Sequence, residues 1–447
     1  MRLLNFILKH RDAFAISMVF CSGPLNYAIR DGIGLAPNST AFSTLFMFGA
    51  IFLALPFRNF KSLYINDTPL VFLGISFLVM VILYMIIYPA YRYMSIMLFI
   101  YDYFVIGIVL YFYFYLMTVR ESYLRMNFLK ICIGLSILGS VGLVYFVIKN
   151  PNYSLGQRFA ISYGDSSEME AMGNPHIFGR GAFFGIVAGF IYLKYESRKL
   201  WRYATTFALI FFFAVLILAQ AMSSIISGFL FVCCFIWFNH NARTIWNKIK
   251  FLFTKWYVWL IVIFMSVKGI DFIRQNEAIL DLGYRFVQRR LEKLVNTFIP
   301  EEVDDKWYSK GSVQVDLSAA GRVEILNRMA EDLAENFEEG RYLNLIFGNG
   351  YYAFYVDVPI VEVFNSYGLV GFLLFGVFFY LMLKYCYIEI RKPTSIISEF
   401  AAYGFIYFFV FTFTNGLIID YNRWTFFALV CRFMPAINNS IIKPKTT

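Results

Sequence analysis

Charge is scarce in this sequence. Of its 447 residues only 15% are Asp, Glu, Lys or Arg and 60% are hydrophobic, where ordinary globular domains carry about 25% charged residues. A soluble chain of this length would split into domains joined by polar linkers. That reading is excluded, because apolar runs of about 17–25 residues recur from one end to the other. Histidine is rarer still: His10, His176 and His240 lie too far apart to show metal-ligand spacing. The six cysteines (Cys21, Cys132, Cys233, Cys234, Cys386, Cys431) all fall in or beside apolar segments. A disulfide framework or zinc site in the polar part is thereby ruled out, and no metal or other cofactor is expected. The net charge of +10 arises from short clusters between apolar runs. It forms no single patch, so nucleic acid is not an expected partner.

What the sequence does have is hydrophobic length. Apolar runs fall near residues 13–29, 41–57, 69–90, 94–117, 127–148, 177–195, 203–219, 223–239, 254–270, 358–384, 397–416 and 422–440. Lipid offers no partner to an unpaired backbone group, so each run is expected to be a helix. The fold class is therefore all-α: a polytopic membrane protein of about twelve transmembrane helices. Arg2, Lys9 and Arg11 before the first run imitate a signal peptide, but Gly23-Pro24 interrupts the run and Asn26 and Arg30 end it without a small-residue cleavage site. It reads as a retained first span.

Lys and Arg cluster in every second connection: Arg58/Lys61, Arg120/Arg125/Lys130, Lys194/Arg198/Lys199/Arg202, Arg243/Lys248/Lys250/Lys255 and Lys384/Arg391/Lys392. These clusters mark the cytoplasmic side, which places both termini inside and the connections near 149–177 and 271–357 outside. The expected organisation is a bundle over 1–270 with a small outer loop at 149–177, a large outer loop domain over 271–357, and a C-terminal bundle over 358–447. The large loop is acidic where the rest is basic. Val287, Leu291, Leu294 and Phe298 form one apolar stripe at helical spacing, and Leu326, Met329, Ala330, Leu333 and Phe337 form another. Two amphipathic helices are expected there. Its acidic run Glu331, Asp332, Glu335, Glu338, Glu339 reads as a solvated helix face.

Three short segments carry chemical interest. The first is Ala320-Gly321-Arg322-Val323-Glu324. The second is Gly348-Asn349-Gly350, a tight turn whose expected role is positioning. The third runs from Asp357 through Glu362 and Asn365 to Tyr367-Gly368-Leu369-Val370-Gly371, with Asp357 eleven positions before Gly368. This order resembles the O-antigen polymerase and O-antigen ligase superfamily, in which a small-Gly-Arg helix start, a Gly-x-Gly turn and a polar residue ahead of a Tyr-Gly-Leu-x-Gly helix surround the main outer loop. Asn174-Pro175 fits the family too. Two departures stand out. Ala221-Met222-Ser223-Ser224 occupies the hairpin where many members have Ser-Arg, so Arg158, Arg180 or Arg423 would have to supply that charge. Asp357 sits where the ligases typically carry histidine.

The resemblance implies a metal-independent glycosyltransferase of the bacterial inner membrane. Its donor and acceptor would be polyprenyl-diphosphate-linked oligosaccharides, and membrane lipid and a chain-length regulator protein would be its other partners. Arg322 and Asp357 would be catalytic, the arginine on the diphosphate leaving group and the carboxylate as base. Arg180, Arg158, His176, Glu324, Glu362, Gly348, Gly350 and Arg423 would line the substrate site. Residue chemistry alone supports part of this. Arg322, placed near a helix start with Ser318 as its cap, can grip a diphosphate bidentately. Each residue also has a plainer reading. Arg322 is then a surface arginine paired with Glu324 or another acid, Arg180 snorkels to the interface, and Asp357 caps the helix that follows. The turn Asp420-Tyr421-Asn422-Arg423-Trp424 becomes an interfacial anchor. Asp102, inside the fourth run, is an ionisable group at membrane depth and so a functional candidate, or one half of a buried pair. A ligase acting on a lipid A core and a flippase or other transporter are the competing functions.

Overall fold

The computed structural model describes residues 2–36, 63–64, 68–89, 96–149, 175–219, 221–239, 317–353 and 358–434, with scattered positions between 42–51 and 250–259. The described chain is helical and contains no strand beyond an isolated bridge between Pro89 and Tyr351. In order the helices are α1 Arg2–Lys9, α2 Arg11–Cys21, α3 Gly23–Tyr27, α4 Leu70–Ile87, α5 Ile96–Met117, α6 Met126–Lys149, α7 Pro175–Tyr195, α8 Lys199–Leu218, α9 Met222–Asn239, α10 Leu317–Glu338, α11 Tyr342–Phe347, α12 Pro359–Arg391, α13 Ile396–Thr414 and α14 Tyr421–Phe433. Eight of them (α4 to α9, α12 and α13) are long and apolar enough to cross a membrane. The all-α membrane class holds.

Among the described residues, the twelve expected spans are not all seen at full length. The first apolar run is divided: α2 ends at Cys21, α3 begins at Gly23-Pro24, and a π-turn, Ala28–Gly32, follows. Proline at a helix start is favoured but cannot continue a helix from before it, which explains the break. In the last run the described residues form the thirteen-residue α14, and those beyond 434 lie outside the description. The runs at 41–57 and 254–270 lie largely outside the described residues.

Two compact units divide the chain. The first comprises Met1–Tyr153, Gln157–Val232 and Gly340–Thr447, and the second comprises Ser154–Gly156 and Cys233–Glu339. In the first, α6 and α7 pack together, α7 packs on α8 and α13, and α12 packs on α4 and α13. Helix α14 fills the centre against α4, α5 and α13. Its Trp424 lies between Phe77 and Phe378, with ring centroids at 5.5 and 5.8 Å. Outward-facing apolar side chains are plentiful, among them Ile87 at 75% exposure and Phe207 at 76%. Such a surface suits lipid and not water.

Polar contacts collect at the two ends of this bundle. At one end, where α7 finishes and α13 starts, buried Glu399 accepts from Lys194 at 2.7 Å and from Tyr195 at 2.8 Å. Nearby, Glu389 near the end of α12 accepts from Ser398 at 2.5 Å and Thr394 at 2.8 Å. Arg432 at the end of α14 donates to the carbonyls of Leu116 and Val119, where α5 finishes. The opposite end gathers the starts of α5, α7, α12 and α14 with the finish of α4.

In the second unit, the later of the two expected amphipathic helices is present as α10. Its apolar stripe is not a buried face: Met329 is covered, but Leu326 is 39% and Phe337 65% exposed. The earlier stripe, Val287 to Phe298, lies outside the described residues.

Candidate functional site

The site is built around a helix that breaks. Inside α12, Gly368 has φ 60° and ψ −161°, a region essentially closed to residues with a Cβ. The break lets the turn after α11 approach from the side. Asn349 and Gly350 donate their amides to the carbonyls of Asn365 and Ser366 at 2.9 and 3.2 Å, and the Asn349 side-chain amide donates to Asn365 Oδ1 at 3.0 Å. Gly348, at φ 82° and ψ 178°, crosses Gly368 backbone to backbone, and a Cβ on either glycine would overlap the other strand of chain. Two motif segments from the sequence are therefore in direct contact.

The same turn then reaches α4 and α5. Tyr351 donates its amide to the Tyr88 carbonyl at 2.9 Å, and Tyr84 donates its hydroxyl to the Phe347 carbonyl at 2.7 Å. The Tyr351 phenol donates to Asp102 Oδ2 at 2.5 Å. Burial first, then the neighbouring Tyr367 and Asp102, push the Tyr351 pKa far above the ordinary tyrosine value, so the phenol stays a donor. Glu362, buried in the first turn of α12, accepts from the Ile418 amide at 2.7 Å. That carboxylate ties α12 to the turn between α13 and α14.

Arg423 serves that turn as well. It is 2% exposed, and its guanidinium donates to the carbonyl of Asn415 at 3.2 Å and to that of Leu417. Its amide donates to Asp420, the N-cap of α14, at 2.9 Å. The expectation of an interfacial anchor at 420–424 fails, since Arg423 and Trp424 are interior. Three helix starts thus converge. His176, at the start of α7, is 3.4 Å from Ser223 Oγ, and its carbonyl accepts from Tyr407 at 3.2 Å. Arg180, one turn on, lies against Gly23, where a side chain would come within 3.6 Å of the guanidinium.

Arg180 makes no hydrogen bond or ion pair with a described residue, and its charge acts on the phenols of Tyr407 and Tyr421. Tyr421 also feels Asp420 and Tyr27, and Tyr101 feels Tyr421, Asp420, Asp102 and Tyr27. Arg30 covers the Tyr27 ring at 4.4 Å and donates to Ser43 at 2.7 Å. The bundle end therefore holds guanidinium groups, phenols and the three carboxylates Asp102, Glu362 and Asp420. Such a mixture suits a charged ligand bearing many hydroxyls. Among the described residues, no group of three or more His, Cys, Asp or Glu is arranged to hold a metal ion.

The remaining candidates fall elsewhere. Arg322 and Glu324 belong to α10 in the second unit. That helix runs from Leu317, so Ser318 is inside it and not at its cap, and Arg322 stands on the second turn. Glu324 is exposed and pairs with Arg328 at 2.5 Å in an i,i+4 arrangement, a surface contact worth about 0.3–0.5 kcal/mol. Asp357 and Arg158 lie outside the described residues. Tyr27, Arg30, Tyr101, Tyr351 and Tyr407 were not singled out by sequence. Their one legible sign was polar residues interrupting apolar runs near the same ends of the spans. No protein-family model matches this chain, and no curated protein matches it either.

Proposed function

We propose that this chain is a membrane-embedded glycosyltransferase that joins polyprenyl-diphosphate-linked oligosaccharide repeats into an O-antigen or related surface polysaccharide. The reaction takes place at the end of the bundle where α5, α7, α12 and α14 start, on the outer face of the bacterial inner membrane. The observation that carries the reading is Arg180. A guanidinium with no described hydrogen-bond or ion-pair partner, near the start of α7 and in electrostatic reach of the Tyr407 and Tyr421 phenols, is costly unless an anion completes it. Lys194, Arg198, Lys384 and Arg391 gather toward the other end, in keeping with a cytoplasmic orientation there.

In this reading Arg180 takes the diphosphate of the donor and stabilises the negative charge that grows as the glycosidic C–O bond breaks. Arg322 is the second arginine that the motif order nominates for that charge. Phenols and amides of the cluster hold sugar hydroxyls, and a carboxylate of the same region accepts the proton of the attacking hydroxyl. Asp357 is the residue that the motif order nominates for that task.

Deleting the gene from its native host should collapse the surface polysaccharide ladder to single repeat units, still attached to their acceptor by a separate ligase. Wild-type protein should restore the ladder and Arg180→Ala should not, at equal membrane levels. A full ladder in the deletion strain would remove the proposal. Loss of even single-unit attachment would make the protein a ligase.

A further inference from the structure

We propose that Asp102 is the carboxylate that deprotonates the attacking sugar hydroxyl, and that the Gly348-to-Tyr351 turn exists to hold it; this rests on the glycosyltransferase reading above. An aspartate inside a span is expensive and persists where it is held for use. Asp102 is 5% exposed on α5, close to the end that carries Arg180, and Tyr101 beside it is in electrostatic reach of Tyr421, which in turn senses Arg180. One carboxylate oxygen, Oδ2, takes the Tyr351 phenol at 2.5 Å. That single donor fixes the orientation of the carboxylate and leaves Oδ1 for a substrate proton.

The support behind Tyr351 is unusually complete for one side chain. Its amide is bonded to Tyr88, the two residues before it are bonded to Asn365 and Ser366, and the glycine before those is seated on Gly368. Three helices, α4, α5 and α12, therefore determine where one phenol points. A turn serving only to close a loop needs none of this.

The chemistry balances without another reagent. Asp102 takes the proton from the acceptor hydroxyl, whose oxygen forms a bond to the anomeric carbon of the donor. The bond from that carbon to the diphosphate oxygen breaks, and its electron pair leaves with the polyprenyl diphosphate. The proton is then released to water. Tyr351 is a positioning residue, since it acts through Asp102.

The test uses full-length protein in lipid nanodiscs with a polyprenyl-diphosphate-linked repeat unit, measuring kcat and KM. Asp102→Asn is isosteric and still accepts from Tyr351, so a purely structural aspartate would leave both constants unchanged. A base predicts a fall in kcat of about 100- to 10,000-fold with KM within a few-fold of wild type. Tyr351→Phe should lower kcat about tenfold at unchanged KM, with a wild-type melting temperature, and Asp102→Glu should recover part of the Asn loss. Wild-type kcat in Asp102→Asn overturns the assignment, as does a fall confined to Asp357→Asn. Absence of any elongation by the wild-type protein would instead overturn the glycosyltransferase reading.

Discussion

Two arginines at the same end of the bundle differ in their partners, and different losses are expected on removing them. Arg423 is buried and bonded to backbone carbonyls of its own turn, whereas Arg180 is partly exposed and bonded to nothing described. Arg423→Ala strands two carbonyls in the interior, and an unmade buried hydrogen bond costs about 1–3 kcal/mol. Its unfolding midpoint in detergent should drop clearly. Arg180→Ala should melt like wild type while losing activity. Equal melting of both variants would mean that the carbonyl contacts of Arg423 carry no weight. From sequence the two were equivalent, each a cation at the end of an apolar run. What separates them is a turn that brings carbonyls back six and eight residues from Arg423, which no spacing rule reveals. Glu362 was similarly opaque, because its partner Ile418 lies on a different connection.

Elements were more legible than their contacts. Most helices stand where apolar runs forecast them, since lipid forces every spanning segment to satisfy its own backbone. The ends follow local rules too: Ser395 and Ser398 form a reciprocal cap on α13, and Pro359 opens α12. The break in α12 was not legible as a break. Tyr367-Gly368 reads as motif, and Gly348-Asn349-Gly350 as a turn, but nothing in their order says that they touch. Their contact makes a sharp prediction. Gly348→Ala and Gly368→Ala each add a methyl group where backbone already stands, at dihedral angles hostile to any Cβ. Each should release the turn, so that Tyr351 becomes accessible to protease or to a tyrosine-directed reagent. Gly376→Ala, on the same helix with open space around it, should leave that protection intact. Protection surviving in Gly368→Ala would show that the turn is held from elsewhere.

At the scale of the whole molecule, the balance of charge and apolar length in the sequence was sufficient for the class, an all-α membrane protein. The count of twelve is not confirmed: eight described helices are long and apolar enough to cross, α2 and α3 divide one run, and two further runs lie largely outside the described residues. The site was half legible. Arg180 and His176 stand four residues apart in the first turns of α7, a proximity that sequence spacing alone gives, while the Asp102–Tyr351 pair joins residues 249 positions apart. Long-range pairs of this kind depend on how α4, α5 and α12 assemble, not on any local pattern. The assembled end sets guanidinium groups and phenols together on an apolar bundle, and a donor diphosphate bound there is the central claim. It is tested most directly by following purified protein in nanodiscs with one defined polyprenyl-diphosphate-linked repeat unit and no other enzyme. The account predicts a ladder of longer lipid-linked products and released polyprenyl diphosphate from the wild-type protein, and neither from Arg180→Ala. Unchanged starting material with the folded wild-type protein, or an equal ladder from Arg180→Ala, would contradict it.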